Sequence, residues 1–216
     1  MTKLKKLLSV SSEALGEKPE AAPKWVNDYN LGWELFHMLE LKNGFYAFEH
    51  ALHVLPTASD VTGTMTLEEW NSTTLWRSAY DDLTKDLFFF AEDIFGDQFC
   101  LAADQKGILR FYAETAERTV MADSFEQWAN VLLSNYEVET GWTLAHDWQL
   151  SNGQLQFGQR LQPKIPFVYG GEYALDNLWA GDAVKGMLFK AEVAMKVKGL
   201  PDGTRVRLEV KDDNPA

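Results

Sequence analysis

Apolar residues along this chain switch between helical and strand spacing, and the switches delimit its predicted elements. Leu31, Leu35, Met38 and Leu39 recur at helical intervals, and Asn43-Gly44 ends the helix they predict. Phe45 to Leu55 is aromatic and branched enough for a strand, closed by Pro56. Thr66-Leu67-Glu68-Glu69 has the Thr-x-x-Glu form of a capping box; the helix it opens carries Leu67, Trp70 and Thr74 on one stripe and ends near Tyr80. Leu87 to Phe90 reads as a buried strand, Phe95-Gly96-Asp97 as a turn, and Phe99 to Ala102 as the returning hairpin partner. Lys106-Gly107 makes another turn before a strand from Ile108 to Tyr112. Asp123-Ser124-Phe125-Glu126 is a second capping-box candidate, leading a helix with Phe125, Trp128, Ala129 and Leu132 inward.

Beyond Tyr136 the pattern changes. A short helix over Glu139 to Leu150, a strand over Leu155 to Leu161 and an extended piece bracketed by Pro163 and Pro166 lead to Gly170-Gly171. Val184, Met187, Leu188, Ala191 and Met195 then sit at helical spacing, and Thr204 to Val210 alternates as a final strand. The stretch GEKPEAAPK at 16–24, with two prolines and no apolar period, reads as a linker, so the ordered domain is expected to begin near Trp25. The expected organisation is an N-terminal segment over 1–24, a domain over 25–136, and an α/β extension over 137–216 that either packs on it or forms a small second domain.

Composition narrows the class. Hydrophobic residues make up 46% and there are eight tryptophans, so the chain can bury a core. No run approaches the roughly 20 apolar residues that span a bilayer, and the basic start MTKLKK is followed by no sustained apolar segment, so the expected address is the cytoplasm. A single cysteine, Cys100, excludes an internal disulfide framework and a multi-cysteine zinc site; within Phe99-Cys100-Leu101 it is expected to be buried and inert. The net charge of −12 argues against direct nucleic-acid binding. That charge is localised: residues 25–130 carry six basic and 18 acidic groups, whereas the segments on either side are close to neutral.

Two strings carry a family resemblance: Leu39-Glu40-Leu41-Lys42-Asn43-Gly44-Phe45 after a helix, and Phe88-Phe89-Phe90-Ala91-Glu92-Asp93-Ile94-Phe95-Gly96-Asp97-Gln98-Phe99, an aromatic strand running into a Gly-Asp hairpin. With Leu67-Glu68-Glu69-Trp70-Asn71 through Leu75-Trp76 between them, the order resembles the SUKH superfamily, which includes the fungal Smi–Knr cell-wall regulators. The match covers residues 31–135. The tail from Lys164 to Gly171 and on to Gly203 is similar to the C-terminal region of some secretion-system immunity proteins. The resemblance implies an α+β fold, a curved and mostly antiparallel sheet flanked by helices. For many bacterial members it also implies binding and blocking a toxin of the same strain, with no catalytic residues to transfer and no cofactor.

Asp81, Asp82, Asp86, Glu92, Asp93, Asp97 and Asp104 crowd around the central hairpin. As one acidic surface they would meet a basic partner, and a nuclease toxin needs Lys and Arg at its phosphate site. The plainer alternative is solvated turn carboxylates, with Asp93 and Asp97 fixing the Phe95-Gly96 turn. Asp93-x-x-x-Asp97 supplies too few ligands for a metal. His50-x-x-His53, on a strand, would point to opposite faces and make no zinc site. Glu68-Glu69, or Glu137 with Glu139, could do acid/base work, but Glu68 and Glu69 suit a helix start better. Trp70, Trp76 and Trp128 fall at core positions, whereas Trp33 is offset from its helix's apolar stripe and is a candidate interface anchor. The expected function is an immunity-type protein without enzymatic activity. The alternatives are a regulatory or scaffold domain and, third, a carboxylate-based enzyme.

Overall fold

All seven residues of the strand Leu87–Asp93 are buried, so the unbroken Leu87-Phe88-Phe89-Phe90 run serves a strand covered on both faces. The structure, a computed structural model, describes residues 1–201, 203 and 204; the predicted strand at 204–210 lies outside the described residues except for Thr204. The central strand belongs to a six-stranded antiparallel meander whose spatial order follows the chain. Its strands are β1 (Phe45–Ala47), β2 (Leu52–Val54), β3 (Leu87–Asp93), β4 (Gln98–Ala102), β5 (Ile108–Phe111) and β6 (Arg118–Ala122). The α-helices are α1 (Lys3–Ser9), α2 (Gly32–Leu41), α3 (Leu67–Trp70), α4 (Phe125–Glu139), α5 (Trp142–Asn152) and α6 (Ala183–Val197). A separate antiparallel pair, β7 (Gln159–Pro163) and β8 (Leu178–Asp182), leads into α6.

Aromatic side chains divide between the two faces of the sheet. On one, Phe90 meets Phe125 and Trp128 of α4 at 5.1 and 5.3 Å, and Phe88 stacks on Trp25 at 4.7 Å. On the other, Phe89 meets Trp76 at 5.0 Å and Phe111 at 5.4 Å, with Tyr80 completing the group. The pairing of β3 with β4 slips between Phe89 and Ala91. This bulge puts Phe90 and Ala91 toward the same face and turns Glu92 to the face of Phe89, re-aiming a charged residue as bulges do.

The helix predicted from Thr66 to Tyr80 stops after Trp70. Its capping box forms, Thr66 Oγ1 accepting from Glu69 N at 3.3 Å and Glu69 Oε2 accepting from Thr66 N at 2.8 Å. Asn71 then leaves the helix because its amide bridges to β3, accepting from Phe89 N at 2.9 Å and donating to Phe89 O at 2.7 Å. β2 ends just before Pro56, and this amide takes the place of the missing strand. Asn71→Ala strands both Phe89 groups and is expected to cost about 2 kcal/mol, read as a lower urea midpoint at unchanged slope.

Phe45 to Leu55, predicted as one strand, is a tight hairpin. Phe48, Glu49 and His50 turn it with positive φ angles of 53°, 52° and 70°, an unusual run for residues with a Cβ. The N-terminal segment joins the core well before Trp25: Leu7, Leu8 and Leu15 are buried, and Gly16 bridges to Asn43. The second capping box is displaced by one residue. Ser124 caps α4 through Gln127 N, while Glu126 instead accepts from Lys3 N and Leu4 N at the start of α1. α4 runs to Glu139 across a non-helical residue at Asn135. The segment beyond it shares the main core, since Ala183, Met187, Ala191 and Ala194 of α6 pack with the sheet aromatics.

Candidate functional site

The seven acidic residues singled out from the sequence do not form one surface. Asp81, Asp82, Asp86 and Asp104 are exposed, and Asp97 is half-buried. Glu92 and Asp93 are 2% and 0% exposed, so neither can face a partner; this corrects their expected role. The set is also split in space. Asp86 and Asp93 flank a strand whose rise of about 3.3 Å per residue separates them by roughly 23 Å, and Asp104 lies with Asp86, since Ala103 N bonds Asp86 O at 3.0 Å. Trp33 is 48% exposed at the start of α2, its Nε1 donating to Asn27 Oδ1 at 3.2 Å.

Glu92 is buried because it belongs to a polar row. Tyr46, His53, Glu92 and Gln98 are successive cross-strand partners over β1 to β4. Arg160, reaching over from β7, comes within 2.8 Å of Glu92 Oε1, and His53 Nδ1 lies 3.0 Å from the same oxygen. Gln98 Nε2 donates to Glu92 Oε2 at 3.3 Å, and Trp70 Nε1 donates to Gln98 Oε1 at 2.8 Å. Burial alone would raise the Glu92 pKa, but Arg160 and the His53 and Gln98 bonds carry it below the ordinary range. Burial lowers the His53 pKa to about 4, against the pull of Glu92, so this imidazole is neutral at pH 7.

At the turn end of the β3–β4 hairpin, Asp93 does fix the turn. Its Oδ1 accepts from Phe95 N at 2.9 Å and Asp97 N at 3.0 Å, and its Oδ2 pairs with Arg110. Burial pushes the Asp93 carboxyl up, to about 7, against the pull of Arg110. The Arg110 guanidinium also reaches Asp97 at 3.4 Å and Glu139 at 3.3 Å. Beyond it opens a groove of about 780 Å³, lined by five carboxylates (Asp97, Glu114, Glu117, Glu137, Glu139) against two cations, Arg110 and Lys190. Both cations are engaged inside: Lys190 is 2% exposed and bonded to Gln162. Glu114 accepts from Val168 N at 2.8 Å, and burial raises its pKa. The aromatic wall is Phe95, Phe167 and Tyr173; Tyr173 stacks on Phe167 at 3.9 Å and is 64% exposed. Gly141, at φ +68, permits the close wall there, since a Cβ would stand 2.4 Å from the Phe95 ring.

Of the expected site residues, Asp97 alone lines this groove. In the sequence Glu137 and Glu139 are marked only as possible acid/base groups, and nothing local marks Glu114, Glu117 or Tyr173. Their convergence depends on the Tyr112–Glu117 turn, the end of α4 and the 167–173 loop meeting, which no local spacing encodes. Among the described residues no group of three or more His, Cys, Asp or Glu is placed to hold a metal. Cys100 is fully buried, and its thiol pKa is pushed up by that burial. None of the described helices is long and apolar enough to cross a membrane.

The SMI1 / KNR4 family (SUKH-1) matches residues 5–131, more than half of the chain. The chain belongs to the SUKH-1 family. The match begins within α1, in keeping with the early entry of the N-terminal segment into the core. A crystal structure of Atu4351 from Agrobacterium tumefaciens is similar to this SUKH-1 protein, with a TM-score of 0.56 and 13% identity over 86% of each chain, a likeness of fold alone. No curated protein matches it. The groove straddles the end of the SUKH-1 match: Asp97, Arg110, Glu114 and Glu117 lie within it, while Glu137, Glu139, Phe167, Tyr173 and Lys190 come from beyond.

The neutral His53 has a consequence for stability. With a folded pKa of about 4 and an ordinary value of 6.5, the unfolded chain takes up the proton first, so stability is lost as pH falls from 6.5 toward 4. Relative to a His53→Gln variant, the parent is expected to lose about 3 kcal/mol between pH 7 and 4, measured by urea unfolding at each pH. The raised Asp93 pKa gives the opposite slope, but it is common to both proteins and cancels in the comparison.

Proposed function

We propose that this SUKH-1 protein is an immunity-type inhibitor that binds a cognate bacterial toxin, of nuclease type, and blocks it by covering its active site. The acidic, aromatic-walled groove is the observation that carries this reading. A nuclease must gather Lys and Arg where the substrate phosphates bind, and an opposed field of carboxylates both steers such a surface and pairs with it. Exposed Tyr173 and the 69% exposed Val138 supply apolar contact inside the charged rim. The mechanism is stoichiometric and cytoplasmic, without turnover or cofactor: one inhibitor occupies one toxin.

The decisive preparation is the purified protein with the toxin domain encoded beside it. Titrating the inhibitor into a nuclease assay is expected to abolish cleavage at one equivalent, and co-expression to protect cells. If the two proteins do not associate and co-expression gives no protection, the immunity reading is wrong.

A further inference from the structure

A second cavity, of about 310 Å³, shares no lining residue with the groove. That volume is at the small end of ligand sites. His53 and Thr64 line it, Trp70 and Val184 give it apolar wall, and the exposed residues Glu69 and Asp182 contribute carboxylates at its rim. No Lys or Arg is among the described residues lining it.

The interior of this cavity holds an unpaired acceptor. His53 is 3% exposed and its Nδ1 lies 3.0 Å from Glu92 Oε1. Glu92, ionised beside Arg160, can only accept, so the imidazole proton sits on Nδ1 and Nε2 carries the lone pair. That Nε2 is buried without a partner among the described residues, and so is Thr64 Oγ1. Leaving such an acceptor unmade is costly, and an occupant that donates to it recovers the loss. Charge selects among donors. Glu69 and Asp182 each commit one oxygen to a helix-start N–H, Thr66 N at 2.8 Å and Lys185 N at 2.9 Å, leaving the second oxygen of each open.

We propose that this cavity binds a small primary amine in its ammonium form, one N–H donating to His53 Nε2 and the alkyl body lying along Trp70 and Val184. Glu69 and Asp182 complement its charge at the mouth. The neutrality of His53 at pH 7 keeps that acceptor available. The inference is independent of the toxin-binding reading, which rests on the other site.

The test uses full-length protein with ¹⁵N-labelled histidine at pH 7, titrated separately with n-butylammonium, 1-butanol and butyrate. Butylammonium is expected to shift the His53 ring nitrogens saturably with a millimolar Kd, the alcohol to bind about tenfold more weakly, and butyrate more weakly still. Val184→Phe fills the cavity and should abolish the response; if that variant fails to fold, Val184→Leu should weaken it. No saturable shift with butylammonium, as when the cavity holds ordered water alone, overturns the proposal. So does an equal response to butanol or butyrate, or one that survives filling of the cavity.

Discussion

Arg160→Met is expected to destabilise the protein by about 3–5 kcal/mol, the cost of leaving a buried charge without its partner. Glu92 is 2% exposed, and its counter-charge is Arg160, itself 1% exposed. His53, neutral by burial, supplies a hydrogen bond but no charge. Removing the guanidinium leaves a carboxylate in the interior, or forces it to take up a proton. It also removes a cation 5.5 Å from the centre of the Tyr46 ring. The pair as a whole is worth much less than either half, because both ions were desolvated to form it. Adding Glu92→Gln to Arg160→Met should therefore restore most of the loss, since Gln can still accept from His53 and requires no counter-charge. Guanidinium unfolding of the parent, the two single variants and the double variant checks this as a cycle. A double variant as weak as Arg160→Met would show that Arg160 acts through packing rather than charge.

The second large effect is on binding. Glu117 and Glu137 are exposed on the rim of the groove, and neither forms an ion pair among the described residues. Reversing both, as Glu117→Lys with Glu137→Lys, should leave stability within about 0.5 kcal/mol of the parent. Affinity for the proposed toxin partner should nevertheless fall roughly 100-fold, with a slower association rate and a flatter dependence on salt. The matched control is Asp86→Lys with Asp104→Lys, the same change in net charge at the other end of β3. It should lower affinity by no more than about threefold, through the long-range field alone. Equal losses from the two pairs, measured by calorimetry or surface binding, would make the groove no more than one part of a diffuse acidic surface.

The central hairpin, the turn at Gly96 and the Thr66 cap were legible because each depends on neighbours within a few residues. The helix beyond Trp70 was not, since Asn71 is taken by a strand partner at Phe89. Phe45–Leu55 misled because three left-handed residues turn it without a glycine between Phe48 and His50. The family strings were legible as well, lying within the SUKH-1 match.

The candidate site was harder for a physical reason. The charge along residues 25–130 leaves out Arg160 and Lys190, which enter that region from the tail and are buried in it. Glu92 therefore reads as surface charge although it answers Arg160, while the partner of Asp93, Arg110, lies 17 residues away on β5, a pairing that the strand register sets and local spacing does not. Apart from Asp97, the carboxylates that line the groove come from the β5–β6 turn and the end of α4, and only the packing of the 167–173 loop beside them makes a concavity.

The most direct measurement is amide hydrogen exchange of the protein free and bound to the toxin domain proposed as its partner. The expected result is slowed exchange at 112–117, 137–144 and 167–173, with 81–86 and 103–106 unchanged. Protection confined to 81–86 and 103–106, with the groove segments exchanging as in the free protein, would contradict the assignment of the groove as the contact surface.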